Sequence, residues 1–451
     1  MSIIDHPAAG LGTLVRPGDP GWDRVRQAFN LLVDQQPEAV ALPADEREVA
    51  AVIGWARERG LRVAAQATGH NAGPLGPLEG TVLLNTARLD ALRIDAAARR
   101  VRVGAGVKWQ RLLPELSGLG LAALHGSSPD VGVVGYSLGG GLGWLGRRHG
   151  LQCNAVTAIE LVTADGSLIR TDEVHEPELF WALRGGGGSF GIVTAIEFTV
   201  LAVPELYAGA LLFDAAQAGA VLRRWRDALP SFPDELTSWA SVLHVPDVPF
   251  APEPLRGRSL AILSGALLGD EAQGRELLAP LRELGPMMDS FAMVPPLALA
   301  ELAMDPPEPL PYRTGHELLS GLDDATIDAA VALLAPGSPL GGLQLRHLGG
   351  ALGRAGERAG ARATLPGEIA SFAFGLVVDE ASAAAVPAAL AQLAALFAPA
   401  SAGAYPSFVE VPDRTSRFFD PSTWERLRSV KALYDPADTI RGNHHVAPSA
   451  R

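Results

Sequence analysis

Three glycine-rich segments in the first half of the chain carry the residues whose types suggest chemistry. They span residues 66–76, 126–146 and 185–191, and the first of them contains His70. Because glycine has no Cβ, the backbone N–H groups of such turns can come close to a pyrophosphate or a flat ring. Three turns of this kind, brought together, predict a binding cradle for a large cofactor that contains phosphate.

Two shorter motifs inside these segments have other interpretations. Gly135-Tyr-Ser137-Leu-Gly139 matches the nucleophile elbow of serine hydrolases, in which a strained turn exposes the serine. The glycines at 139–143 would each destabilise the helix that an elbow requires, by about 1 kcal/mol. Residues 141–146 match G-x-G-x-x-G, but Gly150 would end the next helix too early for a dinucleotide-binding unit. A hydrolase with Ser137 as nucleophile stays open as the less favoured alternative.

Composition and charge limit the classes of protein that fit. Apolar residues make up 48% of the 451 residues, which is enough for a large core. The formal net charge is −13, whereas proteins that bind nucleic acid usually carry an excess of basic residues. The one cysteine, Cys153, excludes a disulfide framework and a multi-cysteine metal site. The first six residues lack a signal-peptide pattern, and no run approaches the roughly 18 uninterrupted apolar residues of a membrane span. We therefore expect a cytoplasmic protein without a nucleic-acid or membrane partner.

The sequence around the glycine turns predicts the elements that position them. Residues 44–60 form an amphipathic helix that Gly60 ends, and Asp165-Gly166 predicts a hairpin turn. Strand patterns occupy residues 38–43, 61–65, 81–84, 100–105, 158–164 and 191–200. A βα beginning followed by several strands is an α+β pattern rather than a regular doubly wound sheet.

After about residue 204 the composition changes, and proline-rich joints at 245–254 and 305–311 separate the candidate elements. Strand patterns at 259–264 and 371–378 and helical patterns at 329–335 and 383–397 predict a second α+β domain. The last segment contains an amphipathic helix that begins near Trp424 and ends before Pro436.

Four groups of residues, taken together, resemble a known family. They are Gln66-Ala-Thr-Gly-His70-Asn-Ala-Gly73, then Ser128-Pro-Asp-Val-Gly-Val-Val-Gly-Tyr-Ser-Leu-Gly139, then Glu178-Leu-Phe-Trp-Ala-Leu-Arg-Gly-Gly-Gly-Gly-Ser-Phe-Gly-Ile-Val193, and a tail with Trp424, Lys431, Tyr434 and Asn443. In order and spacing they resemble the berberine-bridge-enzyme-like flavoproteins, which are FAD-linked oxidases with a p-cresol methylhydroxylase-type FAD domain. Within that family the pattern is most similar to the bacterial 6-hydroxy-D-nicotine oxidase type. The resemblance covers nearly the whole chain.

The resemblance implies an α+β fold with two parts. One is a two-lobed FAD domain like those of p-cresol methylhydroxylase and vanillyl-alcohol oxidase, and the other is an α+β substrate domain with an antiparallel sheet. The implied boundaries are 1–204 for the FAD-binding domain (core about 35–204), 205–403 for the substrate-binding domain, and 404–451 for a C-terminal segment that returns to the FAD domain.

The resemblance also implies FAD as the cofactor, held by a single covalent bond. The family's histidine in the first glycine turn, here His70, is joined to the flavin 8-methyl carbon. Many relatives add a second bond through a cysteine, whose place is taken here by Ser128, and we expect Cys153 only to pack. The residues implied to contact FAD are Gln66, Ala67, Thr68, Gly69, His70, Asn71, Gly73, Ser127, Ser128, Val131, Gly132, Gly135, Tyr136, Gly139, Gly191, Val193 and Asn443.

The resemblance indicates O2 as the electron acceptor. In relatives, the side chain three residues beyond the second-link position borders the approach of oxygen to the flavin. Valine or leucine there accompanies oxidase behaviour, and isoleucine accompanies poor oxygen reactivity. Val131 holds this position, so hydrogen peroxide is the expected product.

The candidates for catalysis come from two other segments. Gln344 and Arg346 hold places where the nicotine-oxidase relatives have lysine and glutamate, so the substrate of those relatives is not implied. Tyr405 matches the tyrosine of a Tyr-x-Asn-Tyr/Phe segment and is the candidate base, with Glu410 as the second candidate. No metal site is expected, because neighbouring side chains such as His444 and His445 point apart on an extended segment.

The implied reaction is hydride transfer from a small alcohol or amine, such as a natural product, to the flavin and then to O2. A redox-neutral cyclase on the same fold is the alternative. The oligomeric state cannot be deduced from the sequence.

Overall fold

The structure, a computed structural model, describes residues 11–245, 247, 253–412 and 417–449. The first six residues, which carried the prediction about a signal peptide, and most of the proline-rich joint at 245–254 lie outside the described residues.

The helices of the described residues are α1 (Trp22–Arg26), α2 (Glu46–Glu58), α3 (Trp109–Gly118), α4 (Val133–Leu138), α5 (Gly146–His149), α6 (Pro177–Leu183), α7 (Ala218–Ala228), α8 (Glu271–Arg282), α9 (Asp324–Leu333), α10 (Glu380–Phe397) and α11 (Pro421–Tyr434). The strands before residue 205 are β1 (Thr13–Val15), β2 (Ala39–Leu42), β3 (Arg62–Gln66), β4 (Thr81–Asn85), β5 (Leu92–Asp95), β6 (Arg100–Gly104), β7 (Leu121–Ala122), β8 (Val156–Val162), β9 (Leu168–Thr171), β10 (Ile192–Thr199) and β11 (Leu201–Ala202). The later strands are β12 (Leu206–Asp214), β13 (Leu236–His244), β14 (Ser259–Leu267), β15 (Met288–Asp289), β16 (Ala292–Val294), β17 (Tyr312–Gly315), β18 (Leu318–Leu319), β19 (Gly342–His347), β20 (Ile369–Leu376), β21 (Ser401–Gly403) and β22 (Ile440–Arg441).

Two five-stranded sheets form the part of the fold that carries the glycine turns. The first has the order β1-β2-β4-β3-β22 and the second, which is antiparallel, has the order β5-β6-β10-β8-β9. In the first sheet β2, β3 and β4 run parallel and are nearly continuous apolar runs, as expected for strands that are buried on both faces. Strand β22, from the end of the chain, pairs in parallel with β3, so the tail joins this sheet.

The local patterns of this part formed as the sequence predicts. Helix α2 begins at the cap residue Asp45, whose carboxylate accepts hydrogen bonds from two backbone N–H groups, and it buries Val49, Val52 and Ile53 completely. Strands β8 and β9 pair as an antiparallel hairpin, and Gly166 in the turn has φ +91°. Glycine suits this position because a side chain there would be strained.

A larger antiparallel sheet forms the second part, in the order β15-β12-β14-β13-β19-β20-β18-β21. Strand side chains alternate between its two faces. On β19, Leu343 and Leu345 lie in the core beneath helices α7 to α10, whereas Gln344 and Arg346 point to the other face. This alternation presents polar side chains of the second part to the glycine turns.

Helix α10 is the most apolar helix of the second part. Among the described residues, the stretch Glu380–Ala400 has the length and composition of a membrane span, although Pro387 interrupts it. Its buried face, which includes Val386 and Leu393, packs in the core of the large sheet. Only 22% of the apolar window of this stretch is buried in the structure.

Candidate active site

A cavity of about 430 Å³ lies where the three glycine turns meet the large sheet. Its lining includes the four candidates for catalysis, Gln344, Arg346, Tyr405 and Glu410. The predicted FAD contacts that line it are Gln66, Ala67, Thr68, Gly69, His70, Asn71, Ser127, Ser128, Val131, Gly132, Gly135, Tyr136, Gly139, Gly191, Val193 and Asn443. The fold therefore brings together residues from distant parts of the sequence, since Phe29 near one end and His444 near the other both line the cavity.

Gly73 is the predicted FAD contact that does not line the cavity. A Cβ on Gly73 would collide with the backbone carbonyl of Glu410. Glycine is needed here so that the first glycine turn can pack against the segment that carries Glu410. Gly73 therefore has a packing role, and its predicted contact with FAD stays a prediction.

Two of the lining glycines, Gly135 and Gly187, leave open space beside the backbone. A Cβ added to Gly135 would have no protein atom within 4 Å, and one on Gly187 would have only the carbonyl oxygen of Asn443, at 3.9 Å. The buried Oε1 of Gln66 has no hydrogen-bond partner among the described residues. A flat or phosphate-bearing group held by backbone N–H groups fits these features, so the residues present suit FAD.

His70 lies on the cavity wall with a defined partner at each ring nitrogen. Its Nδ1 is 2.8 Å from the hydroxyl of Thr68, and its Nε2 is 3.3 Å from Oδ2 of Asp130. The second contact is close enough for an ion pair, but its angle does not meet that of a hydrogen bond. Phe29 stacks on the ring at a centroid distance of 3.8 Å, so the orientation of the imidazole is fixed.

Asp130 is a buried carboxylate that remains ionised. Burial acts to raise its pKa, but the interactions with His70 and with the hydroxyl of Ser128 outweigh burial and hold the pKa below its usual value. Ser128 donates its hydrogen bond to Oδ1 of Asp130 over 2.9 Å. Because a carboxylate only accepts, it favours the tautomer of His70 that carries the proton on Nε2.

Glu410 lies in the cavity with two partners from distant parts of the chain. Asn30 donates to its Oε2 over 2.8 Å and also to the backbone carbonyl of Tyr312 over 3.0 Å. Burial raises the pKa of Glu410 to about 7, and the hydrogen bonds from Asn30 and Tyr312 oppose that rise only in part. The carboxyl group can therefore gain or lose a proton near neutral pH.

Tyr405 is 1% exposed and its hydroxyl is engaged. The backbone N–H of Gly141 donates to this hydroxyl over 2.7 Å. Burial raises the pKa of Tyr405, while Ser407, Gly141 and the charge of Arg362 act in the opposite direction. The phenol is protonated at neutral pH, so it would have to lose its proton before it could act as a base.

Arg346 is 4% exposed and is held between two aromatic rings. Its guanidinium carbon lies 3.9 Å from the ring centroid of Trp239 and 4.7 Å from that of Phe408. Its Nη2 donates to Oε1 of Gln344 over 2.8 Å. Burial lowers the pKa of Arg346 to about 10, so the side chain is still cationic at neutral pH.

The two groups with alternative interpretations are buried and engaged. The hydroxyl of Ser137, which is 2% exposed, donates to the carbonyl of Val133 within α4 over 2.8 Å. This geometry does not present an exposed nucleophile, so it counts against the hydrolase alternative. Burial raises the pKa of the Cys153 thiol to about 12, which agrees with a packing role.

The tail places Asn443 beside the first glycine turn, where its Nδ2 lies 3.2 Å from Oδ1 of Asn71. His445 contacts Asp438 over 2.8 Å. No group of three or more histidine, cysteine or acidic side chains that could hold a metal ion occurs in the described part of the chain.

Phe29 and Tyr312, which line the cavity, and Asn30 and Asp130, which contact Glu410 and His70, were not selected from the sequence. Asp130 lies between Ser128 and Val131, which had been selected, so an acidic residue in that turn was a usable signal. The other three belong to a loop and to β17 and show no local pattern. Their roles arise only from tertiary contacts.

Comparison with known proteins agrees with this geometry. A family model described as an FAD binding domain matches residues 37–172. The (R)-6-hydroxynicotine oxidase of Paenarthrobacter nicotinovorans is 30% identical over 296 residues, which cover 65% of this chain and 63% of that protein. The chain thus spans less than two thirds of the length of this relative.

Solved structures show the same fold over almost the whole chain. The crystal structure of 6-hydroxy-D-nicotine oxidase from Arthrobacter nicotinovorans matches with a TM-score of 0.84 at 24% identity, covering 97% of this chain and 98% of that one. Wild-type BBE-like 1 of Physcomitrella patens also has a TM-score of 0.84, at 19% identity, with 98% of each chain covered. The predicted fold and the predicted resemblance to FAD-linked oxidases are confirmed.

Proposed function

We propose that this chain, which carries an FAD-binding domain, is an FAD-dependent oxidase of a small organic alcohol or amine. One observation carries the proposal: a single cavity joins the glycine turns of the FAD-binding domain to Glu410, Tyr405, Gln344 and Arg346. When bound, FAD supplies the hydride acceptor and passes the electrons on to O2. The substrate loses a hydride and a proton, and O2 becomes hydrogen peroxide.

The protein must accept the proton that leaves the substrate. Glu410 and Tyr405 both line the cavity and are the two candidates. Glu410 is better matched to this task at neutral pH, because its pKa of about 7 lies near the working pH. Tyr405 is held by the N–H of Gly141 and is suited to orient a bound molecule.

We also propose a single covalent bond between His70 and the flavin. Support comes from the contacts of the imidazole, since the proton held on Nε2 beside Asp130 leaves a lone pair on Nδ1. That lone pair is the nucleophile which a bond to carbon requires. Ser128 is engaged with Asp130, and Cys153 is buried with a raised pKa, so neither is suited to form a second bond.

The purified protein tests the proposal directly. We expect a yellow protein whose colour stays in the pellet after acid precipitation. Under anaerobic conditions, an alcohol or amine from a chosen panel should bleach the flavin absorbance, and admission of oxygen should restore it with formation of hydrogen peroxide. A colourless protein that does not bind added FAD would contradict the proposal. Full flavin content and product formation without any bleaching would favour the redox-neutral cyclase instead.

A further inference from the structure

Arg346 differs from the other buried arginines of the described residues. These arginines are Arg147, Arg184, Arg346 and Arg362. Each of the other three donates to at least one backbone carbonyl and does not line the cavity. Arg346 lines the cavity, and its one hydrogen bond among the described residues goes to the neutral amide of Gln344.

The positive charge of Arg346 is not balanced within 4 Å by any carboxylate of the described residues. Its Nε is buried without a hydrogen-bond partner among the same residues. Burial of an unpaired charge is strongly unfavourable, and contacts with aromatic rings return only part of that cost. Asp305, which also lines the cavity, is the charge that raises the pKa of Arg346 most, whereas the charge that lowers the pKa of Glu410 is that of Arg313. Glu410 is therefore not the counter-ion of Arg346.

The surroundings of Arg346 limit what can pair with it. The rings of Trp239 and Phe408 both lie against the guanidinium and restrict the approach of a partner over its faces, which favours contact with the edge that carries its N–H donors. A carboxylate is planar and matches the in-plane fork of guanidinium donors. A phosphate carries more charge than this single cation balances. Phe372 and Phe374 also line the cavity and offer an apolar wall for the rest of the molecule.

We infer that Arg346, supported by Gln344, forms a subsite for the carboxylate of the substrate. The substrate class is then a small alcohol or amine that carries a carboxylate on an apolar or aromatic body. This inference rests on the proposed function, because it assigns the substrate of the same cavity. Arg346 binds and orients the molecule and takes no part in proton transfer.

The experiment uses the flavin-loaded protein and two probes of nearly equal shape, benzoate and benzamide. Each is titrated while the flavin absorption spectrum and the heat of binding are recorded. We expect benzoate to bind to the wild type at least about tenfold more tightly than benzamide. Arg346→Gln should weaken benzoate binding by about 10- to 100-fold and change benzamide binding by less than about threefold. Arg346→Lys, which keeps the charge but not the fork, should give an intermediate affinity for benzoate.

Two further variants separate the subsite from general effects. Arg346→Met fills the space between the aromatic rings without charge and should lose the preference for benzoate even if Arg346→Gln folds poorly. Arg223→Gln removes the same charge from the exposed part of α7 and should leave the affinity for benzoate unchanged.

Equal affinities of the wild type for the two probes, or an unchanged affinity for benzoate in Arg346→Gln, would overturn the subsite. A shift of the flavin spectrum in Arg346→Gln with an unchanged preference for benzoate would also overturn it, since the guanidinium would then serve the cofactor. A wild type that lacks flavin would instead contradict the proposed function, and the heat of benzoate binding would still decide whether the subsite exists.

Discussion

The imidazole Nε2 of His70 lies 3.3 Å from Oδ2 of Asp130, on the opposite side of the ring from the Nδ1 that Thr68 contacts. An aspartate that favours the proton on Nε2 leaves the lone pair on Nδ1, where the hydroxyl of Thr68 must give up its contact before a bond to carbon can form. Asp130 is in turn held by Ser128, at the position where relatives have a second flavin-bonding cysteine. The turn that carries a second flavin-bonding cysteine in relatives therefore serves here to orient His70, the residue expected to form the first bond.

We predict from this relationship that Asp130 controls how fast flavin becomes bonded to His70. His70→Ala should bind FAD that is fully released on denaturation. Asp130→Asn should keep the bonding residue but slow the reaction about tenfold or more, because an amide can present its own N–H to Nε2 and favour the other tautomer. The measurement is the acid-precipitable flavin fraction over time after FAD is added to apoprotein.

Asp165→Asn is the control for Asp130→Asn, since Asp165 lies in an exposed hairpin turn. This control should bond flavin at the wild-type rate. An equal rate in Asp130→Asn would show that the aspartate only packs against the histidine.

The site shows which parts of such a fold a sequence reveals. Helix α2 and strands β2 to β4 were predictable because their apolar periodicity and caps are local properties. The glycine turns were predictable as a cradle because glycine marks places where a backbone must come close to another group. Gly73 shows the limit of that argument, since the group that comes close to it in the structure is the carbonyl of Glu410.

The sequence alone could not show that Glu410 is better suited than Tyr405 to act as the base. Its pKa depends on burial and on Asn30 and Tyr312, and these are separated from it by 380 and about 100 positions. In the sequence it is one glutamate near a proline, of a kind that most often faces solvent. Only the tertiary contacts give it a pKa near neutrality.

The pH profile of the reaction should follow Glu410. With a substrate that bleaches the flavin, kcat/KM should rise with pH through about 7, because a base must be deprotonated. Glu410→Gln should remove this rise and lower kcat/KM by about 100-fold or more. The exposed Glu308→Gln in the neighbouring loop should leave the profile unchanged. A rise that lies well above neutral pH and survives in Glu410→Gln would identify Tyr405, whose pKa is raised by burial, as the base.

The raised pKa of Glu410 also makes the stability of the folded protein depend on pH, even without substrate. The ordinary pKa of a glutamate is near 4.3, so the folded protein holds the proton of Glu410 between about pH 4.3 and 7, while the unfolded chain loses it. The contribution of Glu410 to stability is therefore present below about pH 4 and is lost as the pH rises through 7. As the pH rises from 4 to 8, the free energy of unfolding of Glu410→Gln should increase by up to about 3 kcal/mol relative to that of the wild type. Urea unfolding at each pH measures this difference.

Lys431 and Asp435 form a fully buried pair that fastens the tail to the third glycine turn. The Nζ of Lys431 lies 2.6 Å from Oδ2 of Asp435 and donates to the carbonyls of Ser189 and Ile440, each over 2.8 Å. Asp435→Asn removes the closer of the two carboxylates that contact Lys431, leaving Asp438 at 3.3 Å, and should destabilise the protein by up to about 3–5 kcal/mol. Urea unfolding measures the change.

Glu425→Gln breaks an exposed ion pair with Arg428 on the same helix and is the control for Asp435→Asn. It should cost less than about 1 kcal/mol. Similar losses in the two variants would mean that the buried pair adds no more stability than a surface contact.

Val131 is the residue on which we base the choice of O2 as acceptor. Its side chain lines the cavity and packs against the core, and its carbonyl accepts a hydrogen bond from the N–H of Trp109 over 3.1 Å. Because the backbone is fixed in this way, the extra methylene of isoleucine would have to extend into the cavity or strain the core. Val131→Ile should slow reoxidation of the reduced flavin by oxygen about tenfold and leave anaerobic reduction unchanged. Stopped-flow absorbance measures both rates.

Val174→Ile adds the same methylene at an exposed site and should change neither rate. If the wild type reoxidises slowly, or if Val131→Ile reacts as fast as wild type, Val131 does not govern access of oxygen and the choice of O2 loses its support.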